Sequence, residues 1–116
     1  MPQLISIESE LIRINPTNNR IESSSSAGRV WKTRYSGSYC GTFRDLVEFG
    51  DEIIALTDKG IYSSRNAGAT WAARCSSSIA KSFSSIQDGG NELLGMTADG
   101  HIYASTSKGA TWMRRK

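Results

Sequence analysis

The sequence predicts an all-β chain built from three copies of one unit, each of four short antiparallel strands. Three observations carry this. First, an eight-residue stretch ending in tryptophan occurs as Ser24–Trp31, Ser64–Trp71 and Ser105–Trp112, so the tryptophans stand forty and then forty-one residues apart. A fixed period in this range marks a repeat architecture. Second, short runs rich in Ile, Leu, Val, Phe, Tyr and Thr alternate with Gly, Asp and Asn, the pattern of strands broken by tight turns. Third, no stretch sustains a helical apolar period. Ser78–Ile86 comes nearest, and its serines favour a loop there.

Aligned on the tryptophans, the strands fall in order. The first unit has Met1–Ile7, Glu10–Asn15, Arg20–Ser24 and Val30–Arg34. The second has Phe43–Phe49, Glu52–Thr57, Ile61–Ser64 and Thr70–Arg74. The third has Phe83–Asp88, Glu92–Thr97, His101–Ser105 and Thr111–Arg115. Core positions correspond across the units: Leu4, Leu46 and Ile86; Ile12, Ile54 and Leu94; Ile14, Leu56 and Met96, with Met1 aligned on Phe43 and Phe83. The breaks Phe49-Gly50-Asp51, Asp58-Lys59-Gly60, Asp88-Gly89-Gly90-Asn91 and Ala98-Asp99-Gly100 are turn-formers.

Four antiparallel strands per period of about forty residues make a β-propeller blade. The expected organisation is one domain, residues 1–116, with blades near 1–35, 36–75 and 76–116. Propellers close with roughly four to eight blades. Three blades at roughly sixty degrees each make a half-propeller whose end blades show bare apolar faces. The expected remedy is a homodimer that closes a six-bladed ring, since a two-fold axis pairs such contacts reciprocally.

The eight-residue unit reads as a hairpin turn. Its leading serine and the residue two places on hydrogen-bond their own backbone. Gly28, Gly68 and Gly109 fall where the chain needs a positive φ. Thr-Trp leads out, and burial of each indole is worth roughly 4–6 kcal/mol as an upper estimate. The unit resembles the Asp-box, or bacterial neuraminidase repeat, Ser-x-Asp-x-Gly-x-Thr-Trp. Ser64, Gly68, Thr70 and Trp71 match it, as do Ser105, Gly109, Thr111 and Trp112, while the first copy keeps Ser24, Gly28 and Trp31. Ser26, Asn66 and Ser107 stand at the Asp position; Asn and Ser can still close such a turn. The resemblance implies a sialidase-like propeller fold in which the box is a structural turn between third and fourth strands, away from the ligand site.

Composition sets further bounds. The chain has 116 residues and a net charge of +3, which argues for solubility and only weakly for an anionic partner. No run is long and apolar enough to cross a membrane, and Met1-Pro2-Gln3-Leu4 lacks a signal-peptide layout. The expectation is a cytoplasmic or virion-associated protein without membrane insertion. Basic residues after each tryptophan (Lys32 and Arg34, Arg74, Arg114-Arg115-Lys116) are spread round the periphery. They read as edge protection, not as a nucleic-acid groove. Cys40 and Cys75 share no metal-ligand spacing and read as buried or free thiols, with a disulfide between them as the alternative.

Ligand-binding candidates sit in the blade-to-blade connections, residues 35–42 and 75–82, and the second-to-third-strand loops, residues 15–20, 57–60 and 97–101. Tyr35 and Tyr39 either stack on a sugar or a peptide or, one or both of them, simply pack between blades; Lys59, Lys81, Asp99 and His101 supply polar contacts. His101 is the only histidine, so no metal site and no cofactor are expected. Arg13-Ile14-Asn15-Pro16 is faintly similar to the arginine-bearing motif of sialidases, with Asn15 interrupting it. Asp45, Glu48, Asp51, Glu52, Asp58, Asp88, Glu92 and Asp99 include possible glycosidase acids, yet most fall at turns. No Ser-His-Asp set or phosphate loop assembles. The expected function is recognition of a glycan or protein on the central face without catalysis. The alternatives are a building block of a virion or adhesive appendage, then a degenerate sialidase-like hydrolase.

Overall fold

The computed structural model of the protein describes residues 4–7 and 10–115. Met1 and Lys116, both named above, lie outside the described residues. The first blade comprises β1 (Leu4–Ile7), β2 (Glu10–Asn15), β3 (Arg20–Ser24) and β4 (Lys32–Tyr35). The middle blade comprises β5 (Phe43–Phe49), β6 (Glu52–Thr57), β7 (Gly60–Ser64) and β8 (Ala72–Cys75). A one-turn helix, α1 (Ser78–Lys81), precedes the last blade: β9 (Phe83–Asp88), β10 (Leu93–Thr97), β11 (Ile102–Ser105) and β12 (Met113–Arg114). Each blade is a four-stranded antiparallel meander in sequence order. Side by side they form an arc measuring 41 × 27 × 23 Å.

Two elements differ from expectation. The fourth strands begin after the tryptophans, at Lys32, Ala72 and Met113. The preceding Thr-Trp belongs to the turn: the Thr70 amide donates to Asn66 Oδ1 at 2.9 Å, and the Trp71 indole N–H donates to the Gly68 carbonyl at 3.0 Å. Residues 78–81 are helical where a loop was expected, because Ser77 caps them; its hydroxyl accepts from the Ala80 amide at 3.3 Å.

The repeated turn closes without a carboxylate. The Ser64 hydroxyl accepts from the Gly68 amide at 2.8 Å, and Asn66 Nδ2 donates to the Thr70 hydroxyl at 2.7 Å. In the last blade Ser107 Oγ does the same work for the Thr111 amide, at 2.9 Å. In the first, Ser26 Oγ takes the Val30 amide at 3.0 Å. The glycines sit at φ 90 to 98°, and each is preceded by another left-handed residue, Ala27, Ala67 or Lys108. That second residue was not legible from composition.

Packing is set by period-two alternation. β6 is buried throughout: Ile53 and Ala55 face the first blade, while Ile54 and Leu56 face the last. Phe43 packs on Trp71 and Phe83 on Trp112, with ring centroids 5.6 and 4.8 Å apart. Gly95 is required by this arrangement, since a Cβ there would lie 2.6 Å from the Phe83 ring.

Two polar devices brace the arc. Asp45, fully buried at a bulge in β5, accepts from the Leu46 amide at 3.0 Å and from the Ile86 amide at 2.9 Å. It therefore ties the innermost strands of two blades together. Burial pushes its carboxyl up to about 6, against the opposing pull of those amides. At the periphery, the arginine three residues after each tryptophan pairs with the glutamate at the start of the second-strand segment. Arg34–Glu10, Arg74–Glu52 and Arg115–Glu92 lie at 2.7, 2.5 and 2.7 Å. These arginines thus brace their own sheets, beyond the edge protection expected of them. Cys40 and Cys75 are both free thiols, Cys40 buried and Cys75 partly so.

Two outcomes follow. Gly95→Ala should lower unfolding free energy by about 1–3 kcal/mol, read by urea titration, because the ring has no room to yield. Asp45 should leave a pH signature. Its proton is held more tightly in the fold than in the unfolded chain, where its value is near 3.8. Its contribution is therefore full below about pH 4 and lost as pH rises through about 6, by about 3 kcal/mol in all. Comparing wild type with Asp45→Asn from pH 4 to pH 7 should show that difference in slope.

Candidate functional site

The antiparallel meander puts two loop sets at opposite ends of the sheets. The second-to-third-strand loops and the blade-to-blade connections share one end. The first-to-second-strand turns and the tryptophan turns share the other.

At the first end, the connection 36–42 is held by both neighbouring loops. Asn19 Nδ2 donates to the Gly41 carbonyl and Asn19 Oδ1 accepts from the Phe43 amide, each at 2.8 Å. Asp58 Oδ1 accepts from the Thr42 amide at 2.8 Å, and Lys59 Nζ donates to the Ser38 carbonyl at 3.2 Å. Gly41, at φ 82°, is pressed so close to Asp58 that a Cβ would lie 2.2 Å from its carboxylate. The Tyr62 hydroxyl donates to the Tyr39 carbonyl at 3.2 Å. The Tyr39 ring stands edge-on to Tyr62, centroids 5.5 Å apart, and is 57% exposed.

The sequence-predicted residues divide accordingly. Tyr35, Tyr39 and Lys59 meet around this connection. Tyr35 is largely a packing residue: its ring lies edge-on to Phe43, and its hydroxyl accepts from the Cys40 thiol. Burial, with Cys40 alongside, pushes its phenol up to about 12. Asp99 and His101 form a second group in the last blade. His101 Nε2 lies 3.4 Å from Asp99, and its Nδ1 is 2.9 Å from Arg114. The Thr97 hydroxyl, and then His101, hold the Asp99 carboxyl below its usual range. Lys81 is exposed at the end of α1, and its carbonyl accepts from Arg44. Asn19 and Asp58 lie in the candidate loops 15–20 and 57–60, and Asp58 was among the possible acids, but neither was picked out as a residue that holds the connection. The signal available was an Asn in a turn-forming run, a residue type that tolerates the left-handed conformation Asn19 adopts here at φ 56°.

Several acids are engaged structurally. Glu52 is buried and serves Arg74 in its own blade, with Lys108 of the last blade 3.8 Å from its other oxygen. Arg13 pairs with Glu22 at 2.7 Å and lies over the Trp31 ring at 4.0 Å. Burial raises the Glu22 carboxyl, but hydrogen bonds from Arg13 and Asn15 and the Arg13 charge bring it below its ordinary value. At the opposite end, a cleft of about 580 Å³ opens between the first and middle blades, lined in part by Glu10, Glu48, Asp51, Arg65 and Asn66.

No family model matches the chain, and no curated protein matches it. Solved structures do. YCF48 bound to a D1 peptide superposes with a TM-score of 0.72 at 16% identity, over 93% of this chain and 38% of that one. YCF48 from Cyanidioschyzon merolae gives 0.70 at 17% identity, over 91% and 33%. An ancestral GH74 enzyme gives 0.68 at 15% identity, over 97% and 18%. The chain thus spans a little over a third of the first of these and less of the others. At these identities the likeness is one of fold: three blades of the β-propeller kind.

Asn19 is the clasp of the 36–42 connection. Asn19→Ala should raise amide exchange across residues 36–42 by roughly tenfold, read by mass spectrometry, with exchange in β6 and β7 unmoved.

Proposed function

We propose that the chain is a non-enzymatic binding module of the Asp-box propeller class, completed to six blades by a second copy. It recognises a segment of another protein on the end where connection 36–42 and loop 57–60 meet. The observation that carries this is Tyr39: a large ring left 57% exposed on a connection whose backbone is pinned by Asn19, Asp58 and Lys59. A pinned aromatic loses little entropy on binding, which favours affinity. The YCF48 structure that this fold matches holds a peptide, which supports a peptide over a sugar here. Engagement of Asp45, Glu52, Glu92 and Arg13 in the scaffold supports the non-catalytic reading.

The test is a peptide array and a glycan array probed with wild type and Tyr39→Ala. Wild type should capture a defined peptide set, and Tyr39→Ala should bind it about tenfold or more weakly with an unchanged melting temperature. Capture of glycans instead would reassign the ligand. Silence on both arrays would overturn the binding reading and favour the building-block role. Glycoside turnover abolished by Arg13→Ala would overturn the non-enzymatic reading.

A further inference from the structure

Within the chain, neighbouring blades are joined by one repeated contact. Ile21 and Arg34 of the first blade close on the turn glycine of the middle one: a Cβ on Gly68 would lie 3.1 Å from Ile21 Cγ2 and 3.9 Å from Arg34 Cγ. Ile61 and Arg74 close on Gly109 in the same way, at 3.1 and 3.8 Å. Arg74 also donates to the Lys108 carbonyl at 3.1 Å, while the Lys108 ammonium faces Glu52.

The third set of these residues is divided between the two ends of the arc. Ile102 and Arg115 belong to the last blade, Arg115 paired with Glu92 in its own sheet. Gly28 belongs to the first blade, where among the described residues Trp31 and Leu11 of that same blade are the ones that approach it. Around Ile102 lie Leu94 and Met96, the latter 41% exposed. Leu4, on the first blade, is 52% exposed.

We propose that a second copy of this chain supplies the missing half at each end. Ile102 and Arg115 of one copy close on Gly28 of the other, and the reverse, as a two-fold axis requires. The occupant is argued from the contact itself: each free face is one half of a joint the chain makes twice internally, so the other end of an identical chain fits it. The faces also depart from the inner joints in the same sense. Arg13 and Glu22 replace the Ala55–Tyr62 and Gly95–Tyr103 neighbours on one, and Gln87 stands in the place of Val47 on the other. This inference rests on the six-bladed pairing proposed above and adds the residues that make it.

It carries a gain-of-affinity prediction. Ala27 occupies the place of Lys108 and shares its φ of 58°. In the closed ring it would face the partner's Glu92 as Lys108 faces Glu52. Sedimentation of the 116-residue chain from about 1 to about 100 µM should show twice its 12.7 kDa mass. Ala27→Lys should tighten the pair about two- to fivefold, and Arg115→Gln, which can still donate to Glu92 within its own sheet, should weaken it about tenfold while circular dichroism stays that of wild type. A mixture of Ala27→Cys and Arg115→Cys chains should form a disulfide-linked pair that neither variant forms alone. A dimer unmoved by either charge variant and without the cross-link would sink the clasp while leaving the pairing intact. A monomer at every concentration would sink both, and a larger assembly would sink the two-copy ring.

Discussion

A sheet with apolar side chains on both faces cannot stand by itself in water. A two-stranded hairpin is marginal, and a single blade gains little more until its faces are covered. In this chain only the middle blade has a neighbour on either side. Its second and third strands are buried from end to end, and adjacent residues are sent alternately to two different cores. The aromatic pairs, the glycine under Phe83 and the carboxylate at Asp45 are ways of holding three such sheets at the spacing that this demands.

The same demand shapes the loops. Because the inner strands are fixed close together, the loop after β2 reaches across to the connection that leads into β5, and Asn19 can bond both sides of it. Backbone groups that would otherwise face water are answered by neighbouring loops. The exposed ring of Tyr39 is therefore carried by a platform as constrained as the sheets beneath it.

Much of this was legible in the sequence, and the rest was not for identifiable reasons. Strand positions followed from aligning Leu4, Leu46 and Ile86, which hold the same register in their sheets; Leu46 and Ile86 are buried against the preceding blade, while Leu4 stands exposed on the free face. The start of each fourth strand was misplaced because Val, Thr and Trp have strand propensity, yet here the Val30, Thr70 and Thr111 amides and the Trp71 and Trp112 indoles are claimed by the turn. The one-turn helix was missed because serine disfavours helix interiors but favours their starts, and only position decides between the two. The glutamates and arginines of the braces recur in every unit, but a whole strand lies between the partners, and recurrence alone does not say that they meet. The candidate ligand residues were chosen by loop, and loops told which end they occupy but not which side chains meet. Tyr35 and Tyr39 are close neighbours in the chain, yet one turns into the core and the other out of it.

The blade tips are closed by hydroxyls and an amide, at Ser26, Asn66 and Ser107. None of these groups ionises in the physiological range. A tip locked by aspartate would slacken on acidification as its acceptor took up a proton, whereas these three have no such step. Acid would therefore leave the corners of all three blades as they stand, each hairpin still folded back on itself.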